Sequence, residues 1–388
     1  MLNIFISAGE ASGDLYGSLI LDELKKHIGV NPWGMGGQKL KASGLELVQD
    51  SSQLGVIGIV DLIKNLFFFQ ALERRLIEEI KRRSPQIALL IDYPGLNLRL
   101  AEAIKKQVPD CKVIGFVAPQ VWAWHHSRIH KLPGLIDRLL VILPFEESLH
   151  QGAGTSTKFV GNPSAWFMSQ VPMLNRKSYL QELGLNLHQP VIGIFPGSRN
   201  REISLMLPVM LKSAQSLKAR IPEVQFLLVK AETITQAQID QQIAASKISK
   251  DLIKQVDGIQ NHQVLRSVDL AWLTSGTVTL EAACAGVPLM LGYRENPILF
   301  QIFRWLSLTP YIGLPNIIAG REIAPELVQE KCTVEDWVSL SENWLSDRTL
   351  LTKQKQKIKD ALIILMQNPT NPFEKSAQEI LSIAQIEQ

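Results

Sequence analysis

The sequence has few cysteines, no long apolar run and little net charge. Three cysteines in 388 residues, Cys111, Cys284 and Cys332, are too scattered for a disulfide framework or a zinc site and fit a reducing cytoplasm. No apolar run approaches the ~18 residues of a membrane-spanning helix, and residues 1–10 carry no basic leader signal. A net charge of +3 is too small to indicate a nucleic-acid partner. We therefore expect a cytoplasmic protein that is soluble or bound peripherally to a membrane.

Short apolar runs alternate with helical patterns, which is typical of parallel α/β sheets covered on both faces. Predicted strands begin at Leu2, Val30, Ile87, Lys112 and Arg138, and again at Val191, Val224, Lys254, Leu270 and Leu289. The length also suits two cores. The sequence therefore predicts an α/β protein with two Rossmann-like parallel-sheet domains facing a cleft. The predicted parts are domains at 1–165 and 190–340, a linker at 166–189 and a helical tail at 341–388.

Two turns in the second half suit a diphosphate. Phe195–Arg199 and Thr274–Glu281 each follow an apolar run and open a predicted helix. Small residues at such turns expose backbone N–H groups, and the helix N-terminus adds its positive dipole. Arg199 offers a bidentate cation to the same anion, while Glu281, one turn in from Thr277, could accept ribose hydroxyls. Together the turns predict a nucleotide-sugar site, with ordinary helix caps as the alternative.

A dinucleotide-binding dehydrogenase is the obvious rival for this kind of fold. Its fingerprint needs a third glycine three residues after Gly36, where this chain has Lys39. The turn from Gly9 to Gly13 also has the wrong spacing. We therefore expect no NAD or FAD, and no other cofactor.

Acidic residues follow two predicted strands of the first half, Glu10 after the first and Asp92 after Ile87–Ile91. Ligands of open α/β sheets bind beyond the carboxyl ends of the strands. Because Pro94 fixes the backbone after Asp92, a carboxylate there could act as general base toward an acceptor hydroxyl. The alternative is an Asx-turn or a helix cap. Glu10 could orient the acceptor or favour the start of the next helix.

Aromatic and histidine residues follow a further strand. Trp122 and Trp124 could stack on a sugar ring or pack against acyl chains, with core packing as the alternative. His126 and His130 have the spacing of a metal pair on a helix. Since no further ligand is near them in sequence, we predict no metal site.

Two apolar segments, 54–72 and 299–312, contain or adjoin basic residues. Such a composition suits an amphipathic surface that enters a bilayer and meets anionic head groups. The alternative is a helix packed on a sheet with a solvated basic rim.

With these motifs the chain resembles the lipid-A-disaccharide synthase family, inverting glycosyltransferases of the GT-B fold, over nearly its whole length. The motifs that carry the resemblance are Ser7–Asp14, Gly58–Asp61, Ile91–Pro94, Val121–Trp124, Pro196–Arg199, Ser275–Glu281, Gly292–Arg294 and Leu314–Glu322.

The resemblance implies a metal-free hexosyl transfer from UDP-2,3-diacylglucosamine to 2,3-diacylglucosamine 1-phosphate (lipid X), giving a β(1→6) disaccharide 1-phosphate and UDP. It implies that Asp92 is the base, that Arg199 lies near the leaving diphosphate and that Glu10 is on the acceptor side. The residues it implies on the nucleotide side are Ser198, Ser275, Gly276, Thr277, Glu281, Asn316 and Arg321. It further implies peripheral association with the cytoplasmic membrane, and a possible homodimer whose C-terminal helices pack back or exchange between protomers.

Three positions depart from the family pattern. Gly95 stands where a second acid is frequent, His125 where arginine is common, and Asn162 where histidine is common. These departures bear on the acceptor side and not on the UDP site. The alternatives are another GT-B transferase or epimerase acting on a water-soluble UDP-N-acetylglucosamine-type sugar, or a non-catalytic lipid or nucleotide-sugar binding protein.

Overall fold

The computed structural model describes residues 1–51, 66–123, 126–172, 176–366 and 369–384. The chain forms two compact units, one of Met1–Pro163 with the segment from Thr370 onward, and one of Ser164–Pro369. The last helix thus lies with the first unit, although the sequence groups it with residues 341–366. The domain boundaries given above stay a prediction.

The first unit is built on a parallel sheet of seven described strands. They are Leu2–Ala8 (β1), Val30–Gly36 (β2), Glu46–Asp50 (β3), Ile87–Ile91 (β4), Lys112–Phe116 (β5), Arg138–Val141 (β6) and Thr157–Phe159 (β7). Their order is β3-β2-β1-β4-β5-β6-β7, so the direction of winding reverses between β1 and β4. The central strands β1 and β4 are almost wholly buried, as expected for apolar strands covered on both faces.

Helices cover both faces of this sheet. The helices before the second unit are Ala11–Lys25 (α1), Gln38–Ala42 (α2), Leu66–Arg83 (α3), Pro94–Gln107 (α4) and Pro144–Gly152 (α5), with a 3₁₀ helix at His126–Lys131. Leu72 and Leu76 of α3 pack with Leu100 of α4 in one apolar core. Asp14 of α1 is buried and accepts hydrogen bonds from the backbone N–H groups of Gly37, Lys39 and Leu40, so it caps α2.

The second unit contains another parallel sheet, of six described strands. They are Val191–Phe195 (β8), Gln225–Lys230 (β9), Lys254–Asp257 (β10), Leu270–Thr274 (β11), Leu289–Tyr293 (β12) and Glu326–Val328 (β13). Their order is β10-β9-β8-β11-β12-β13, and the winding reverses between β8 and β11. Trp272 of β11 packs against Trp337 with ring centroids 5.3 Å apart, at the centre of the core.

The first two helices of this part of the chain overlap the predicted linker. In chain order, the helices are Pro163–Gln170 (α6), Arg176–Glu182 (α7), Asn200–Arg220 (α8), Gln236–Ser246 (α9), Asn261–Ser267 (α10), Thr277–Cys284 (α11), Pro297–Leu306 (α12), Leu314–Ala319 (α13), Val334–Ser346 (α14), Arg348–Ala361 (α15) and Ile363–Met366 (α16). Within the described ranges, no helix combines the length and apolar character needed to cross a membrane.

The chain then returns to the first unit with Pro372–Ile383 (α17). The side-chain oxygen of Asn371 accepts hydrogen bonds from the N–H groups of Phe373 and Glu374 and so caps this helix. The Phe373 ring packs on Tyr16 of α1 at 5.8 Å. The predicted pair of Rossmann-like parallel sheets is confirmed, whereas the cleft, the homodimer and the exchange of C-terminal helices stay predictions.

Candidate active site

In the first unit, the predicted acids Glu10 and Asp92 flank the point where the winding of the sheet reverses. Glu10 follows β1 and Asp92 follows β4, and these strands pair in parallel with Ala8 opposite Ile91. Ligands of open α/β sheets bind at such reversal points, beyond the carboxyl ends of the strands. Glu10 is exposed and Asp92 is half-buried. The two acids therefore come from adjacent turns at the expected edge of the sheet.

The buried Asn97 of α4 ties these two turns together. Its Oδ1 accepts a hydrogen bond from Ser7 Oγ at 2.7 Å. Its Nδ2 donates to the carbonyl oxygens of Ile91 at 3.1 Å and Asp92 at 2.6 Å. No role was predicted for Asn97, because the sequence does not indicate which groups the side chain of an asparagine early in a helix will bond.

The turn after β4 is strained. Asp92 and Tyr93 have φ angles of 48° and 49°, in the left-handed region that non-glycine residues rarely adopt. Tyr93, not Asp92, occupies the cap position of α4. A Cβ on Gly9 would meet the Tyr93 ring at 2.6 Å, so this close approach requires glycine. Burial raises the pKa of the Tyr93 hydroxyl, and the Glu10 carboxylate adds to that shift.

A small pocket opens beside Asp92. Val117 and Pro119, which follow β5, form part of its wall. Apart from Asp92 and Asn97, the residues that line it are apolar or glycine. A carboxylate in such surroundings interacts more strongly with a hydroxyl group than it would in water, so this pocket can present a base to an alcohol.

Trp122 lies in the loop after β5, where Glu146 of α5 holds its indole. The Trp122 Nε1 donates to Glu146 Oε1 at 3.0 Å, and the Phe145 ring packs edge-on against the indole at 5.6 Å. Trp122 therefore has a structural contact in addition to any contact with substrate. Trp124, His125 and the Gly58–Asp61 motif lie outside the described residues.

His126 and His130 are the histidines whose spacing in the sequence is that of a metal pair. His126 and His130 lie in a 3₁₀ helix, with ring centroids 6.3 Å apart. In the part of the chain that the structure describes, no group of three histidine, cysteine or acidic side chains could hold a metal ion. Metal independence of the reaction stays a prediction.

In the second unit, Glu202 organises the turn after β8. Its Oε2 accepts hydrogen bonds from the N–H groups of Ser198 at 2.8 Å and Arg199 at 3.2 Å. Gly197 has a φ of 114°, and a Cβ there would meet Glu202 Oε2 at 2.5 Å. These two N–H groups are therefore occupied, in contrast to the expectation that the turn exposes them. The Arg199 side chain is 70% exposed and lies 3.5 Å from Glu202 Oε1, so the turn presents its cation instead.

The winding of the second sheet reverses between β8 and β11, and the turn after β11 lies across this point from the turn after β8. Gly276 and Thr277 are exposed where α11 begins. Ser275 is used to join two loops, since its Oγ donates to the Ile312 carbonyl at 2.9 Å and its N–H donates to Gly292 at 3.1 Å. Exposed small residues at a helix start leave room for an anionic group to approach.

Glu281, one turn further along α11, is oriented by the preceding helix α10. Its Oε2 accepts a hydrogen bond from Asn261 Nδ2 at 2.5 Å and lies 3.6 Å from His262 Nε2. The His262 ring stacks on Phe167 with centroids 6.2 Å apart. One carboxylate oxygen of Glu281 is thus engaged within the protein, and its predicted contact with ribose stays a prediction.

Asn316 is fully buried and bonded within the protein. Its Oδ1 accepts hydrogen bonds from the N–H groups of Ile323 and Ala324, and its Nδ2 donates to Glu326 Oε1 at 2.7 Å. Glu326 also accepts from the N–H groups at 312 and 313, and burial raises its pKa. Asn316 therefore holds the loop whose Ile312 carbonyl accepts the hydrogen bond of Ser275. Arg321 in the same motif is exposed, and contact of either residue with the nucleotide stays a prediction.

The buried carboxyl group of Glu146 should make the stability of the protein depend on pH. Burial raises the pKa of this carboxyl group from 4.5 to about 7, so the folded state favours the protonated form. Its contribution to the free energy of unfolding is fully present below pH 4.5 and is lost as the pH rises through 7. Relative to Glu146→Gln, the wild type should lose up to about 3 kcal/mol between pH 5 and pH 8. Urea unfolding of both proteins across that range tests this, and a constant difference would contradict it.

Each sheet thus carries polar side chains at its reversal point, an acid in the first unit and an arginine in the second. A chain built of two Rossmann-like parallel-sheet units is typical of the GT-B class. Among solved structures, the S. aureus MnaA–UDP co-structure matches 100% of this chain and 98% of its own, with a TM-score of 0.65 and 11% identity. CalG4, the calicheamicin glycosyltransferase, matches 99% and 98%, with a TM-score of 0.59 and 13% identity. These likenesses establish the fold.

Sequence comparison identifies the family. The family model for lipid-A-disaccharide synthetase matches residues 4–381. The lipid-A-disaccharide synthase of Geobacter metallireducens is 37% identical over 333 residues, which cover 86% of this chain and 85% of that protein. The chain belongs to the lipid-A-disaccharide synthase family, and it is a glycosyltransferase of lipid A biosynthesis that takes nucleotide-sugar and lipid substrates.

Proposed function

We propose that the protein transfers the diacylglucosaminyl group of UDP-2,3-diacylglucosamine to 2,3-diacylglucosamine 1-phosphate, with Asp92 as base and Arg199 beside the leaving UDP. The observation that carries the proposal is the strained turn at Asp92, which presents a carboxylate in an otherwise largely apolar pocket at the reversal point of its sheet. Incubation with acylated and non-acylated UDP-glucosamine donors tests it. Disaccharide should form only from the acylated donor, and epimerisation of UDP-N-acetylglucosamine would contradict it.

The chemical step is an in-line displacement with inversion. Asp92 takes the proton of the acceptor 6-hydroxyl while that oxygen attacks the anomeric carbon of the donor. The bond between this carbon and the diphosphate oxygen breaks, and its electron pair leaves with UDP. Glu10, exposed on the adjacent turn, orients the acceptor, and Trp122 and Trp124 contact its sugar or acyl groups.

The second unit stabilises the negative charge that develops on the diphosphate. Arg199 is an exposed cation at the start of the long helix α8, whose dipole is also positive at that end. Gly276 and Thr277 admit the diphosphate at the start of α11, and Ser198 and Arg321 border it. Glu281 binds the ribose, while Ser275 and Asn316 keep the neighbouring loop in place.

Helix α12 supports peripheral association with the cytoplasmic membrane. Every side chain of α12 is at least partly exposed, including Trp305 at 85% and Ile298 at 73%. Ile302 and Phe303 add to the apolar surface, and Arg304 supplies a cation that suits anionic head groups. Both proposed substrates are acylated, so a surface that enters the bilayer brings the enzyme to them. Most of the other apolar segment, 54–72, lies outside the described residues.

Charged substitutions in α12 should weaken membrane binding. Replacing Ile298 and Trp305 with glutamate removes apolar area that would enter the bilayer and adds repulsion from anionic lipid, so binding should fall at least tenfold. Sedimentation with phosphatidylglycerol-containing vesicles measures this. Ile259→Glu is the matched control, because Ile259 is 79% exposed in the same unit but lies outside α12. Equal binding of the double variant and the control would contradict the proposal.

A further inference from the structure

The loop at residues 117–123, hereafter the tryptophan loop, has a strained backbone next to Asp92. Val117 opens the loop with a φ of 66°, which is a true outlier for a β-branched residue. Its N–H donates to the Leu140 carbonyl at 3.0 Å, and its side chain lines the Asp92 pocket with Pro119. Strain of this kind persists only where surrounding contacts enforce it, and it is concentrated at functional sites.

Glu146 makes a contact that holds the tryptophan loop in place at Trp122. The Glu146 side chain is only 2% exposed, and its two carboxylate oxygens have separate partners. Oε1 accepts from the Trp122 indole in the tryptophan loop, and Oε2 accepts from the Leu143 N–H at the start of its own helix. The carboxyl group therefore links the tryptophan loop to the fixed end of α5.

Making this link with a buried carboxyl group costs free energy, since burial disfavours the ionised form of the group. Capping α5 does not require it, because a serine or threonine at the cap position serves that purpose at the surface. The feature that a carboxyl group adds here is a second acceptor oxygen, which reaches the indole N–H of the loop.

We propose that Glu146 is a positioning residue, which fixes Trp122 and thereby keeps the tryptophan loop as the wall of the Asp92 pocket that orients the acceptor. This inference rests on the proposed function, in which Asp92 activates the acceptor hydroxyl. Glu146 itself touches no reacting atom. Its loss should therefore impair use of the acceptor and leave UDP binding by the second unit unchanged.

A double-mutant cycle between Glu146 and Trp122 tests the inference. Glu146→Leu removes the acceptor oxygen, and Trp122→Phe removes the N–H while keeping an aromatic ring. Each single variant should lower kcat/KM for lipid X about tenfold, as displacement of a positioned group does, and the double variant should lose no more than either one. Glu146→Gln, which keeps an oxygen that can accept the indole N–H, should stay within about threefold of wild type. Affinity for UDP, measured by calorimetry, should not change.

Several results would overturn the inference. Additive losses in the cycle, weaker UDP binding in parallel with lower thermal stability, or an equal loss in the neighbouring control Glu147→Gln would each reduce Glu146 to a structural residue. If Glu146→Leu does not fold, Trp122→Phe decides, and an unchanged kcat/KM for lipid X contradicts the inference. An inactive wild type would instead refute the proposed function, on which the inference depends.

Discussion

Replacing Asp92 with alanine or asparagine should lower kcat by about a thousandfold, within the range that a general base contributes. The asparagine variant keeps the size of the side chain but cannot take up the acceptor proton. UDP affinity should be unaffected, because we propose that the second unit binds the nucleotide. Initial rates of UDP release with both lipid substrates measure the effect.

Asp110→Asn is the matched control for this prediction. Asp110 is an exposed acid of the same unit, outside the Asp92 pocket, and its replacement should leave kcat unchanged. An Asp92→Asn variant that folds and keeps more than about a tenth of wild-type kcat would exclude Asp92 as the base, since that loss is below what general-base catalysis supplies.

Arg199→Ala should lower kcat by about a hundredfold or more and also weaken UDP binding, because it removes the cation that we propose to face the leaving diphosphate. Arg199→Lys should recover only part of the loss, since lysine keeps the charge without the planar fork that binds two phosphate oxygens. Steady-state rates and calorimetric UDP titrations give the two effects separately.

Lys212→Ala serves as the control for Arg199, because Lys212 is an exposed cation of α8 that lies more than three turns away from Arg199. It should behave as wild type. A normal kcat in Arg199→Ala with only weaker UDP binding would mean that Arg199 binds the ground state and not the transition state.

The central strands could be predicted from the sequence because burial on both faces makes them continuous apolar runs. Ile87–Ile91 and Leu289–Tyr293 have the bounds that their apolar runs predict. Of the four edge strands described, Lys254–Asp257 was predicted, whereas Glu46–Asp50, Thr157–Phe159 and Glu326–Val328 were not. The three missed strands have only three to five residues, with at most two consecutive apolar residues in each, so they lack the apolar run that marks a central strand.

The candidate site was predictable as far as it depends on strand order. Once a parallel sheet is inferred, residues directly after its central strands are expected at the binding edge, which brings Glu10 near Asp92. The partners of these residues could not be predicted, because each depends on a contact between elements. Asn97 reaches back to two strands, and Glu146 reaches across to Trp122. Such hydrogen bonds leave no periodic pattern in a sequence.

The most direct test of the whole account is a mixed-micelle assay with UDP-2,3-diacylglucosamine, lipid X and a chelator. Mass spectrometry would detect the tetraacyl disaccharide 1-phosphate, and released UDP would be measured in the same samples. We expect the wild type to form equal amounts of disaccharide and UDP with the chelator present, and Asp92→Ala to form about a thousandth as much of either. UDP release without disaccharide, or full activity in Asp92→Ala, would contradict this expectation.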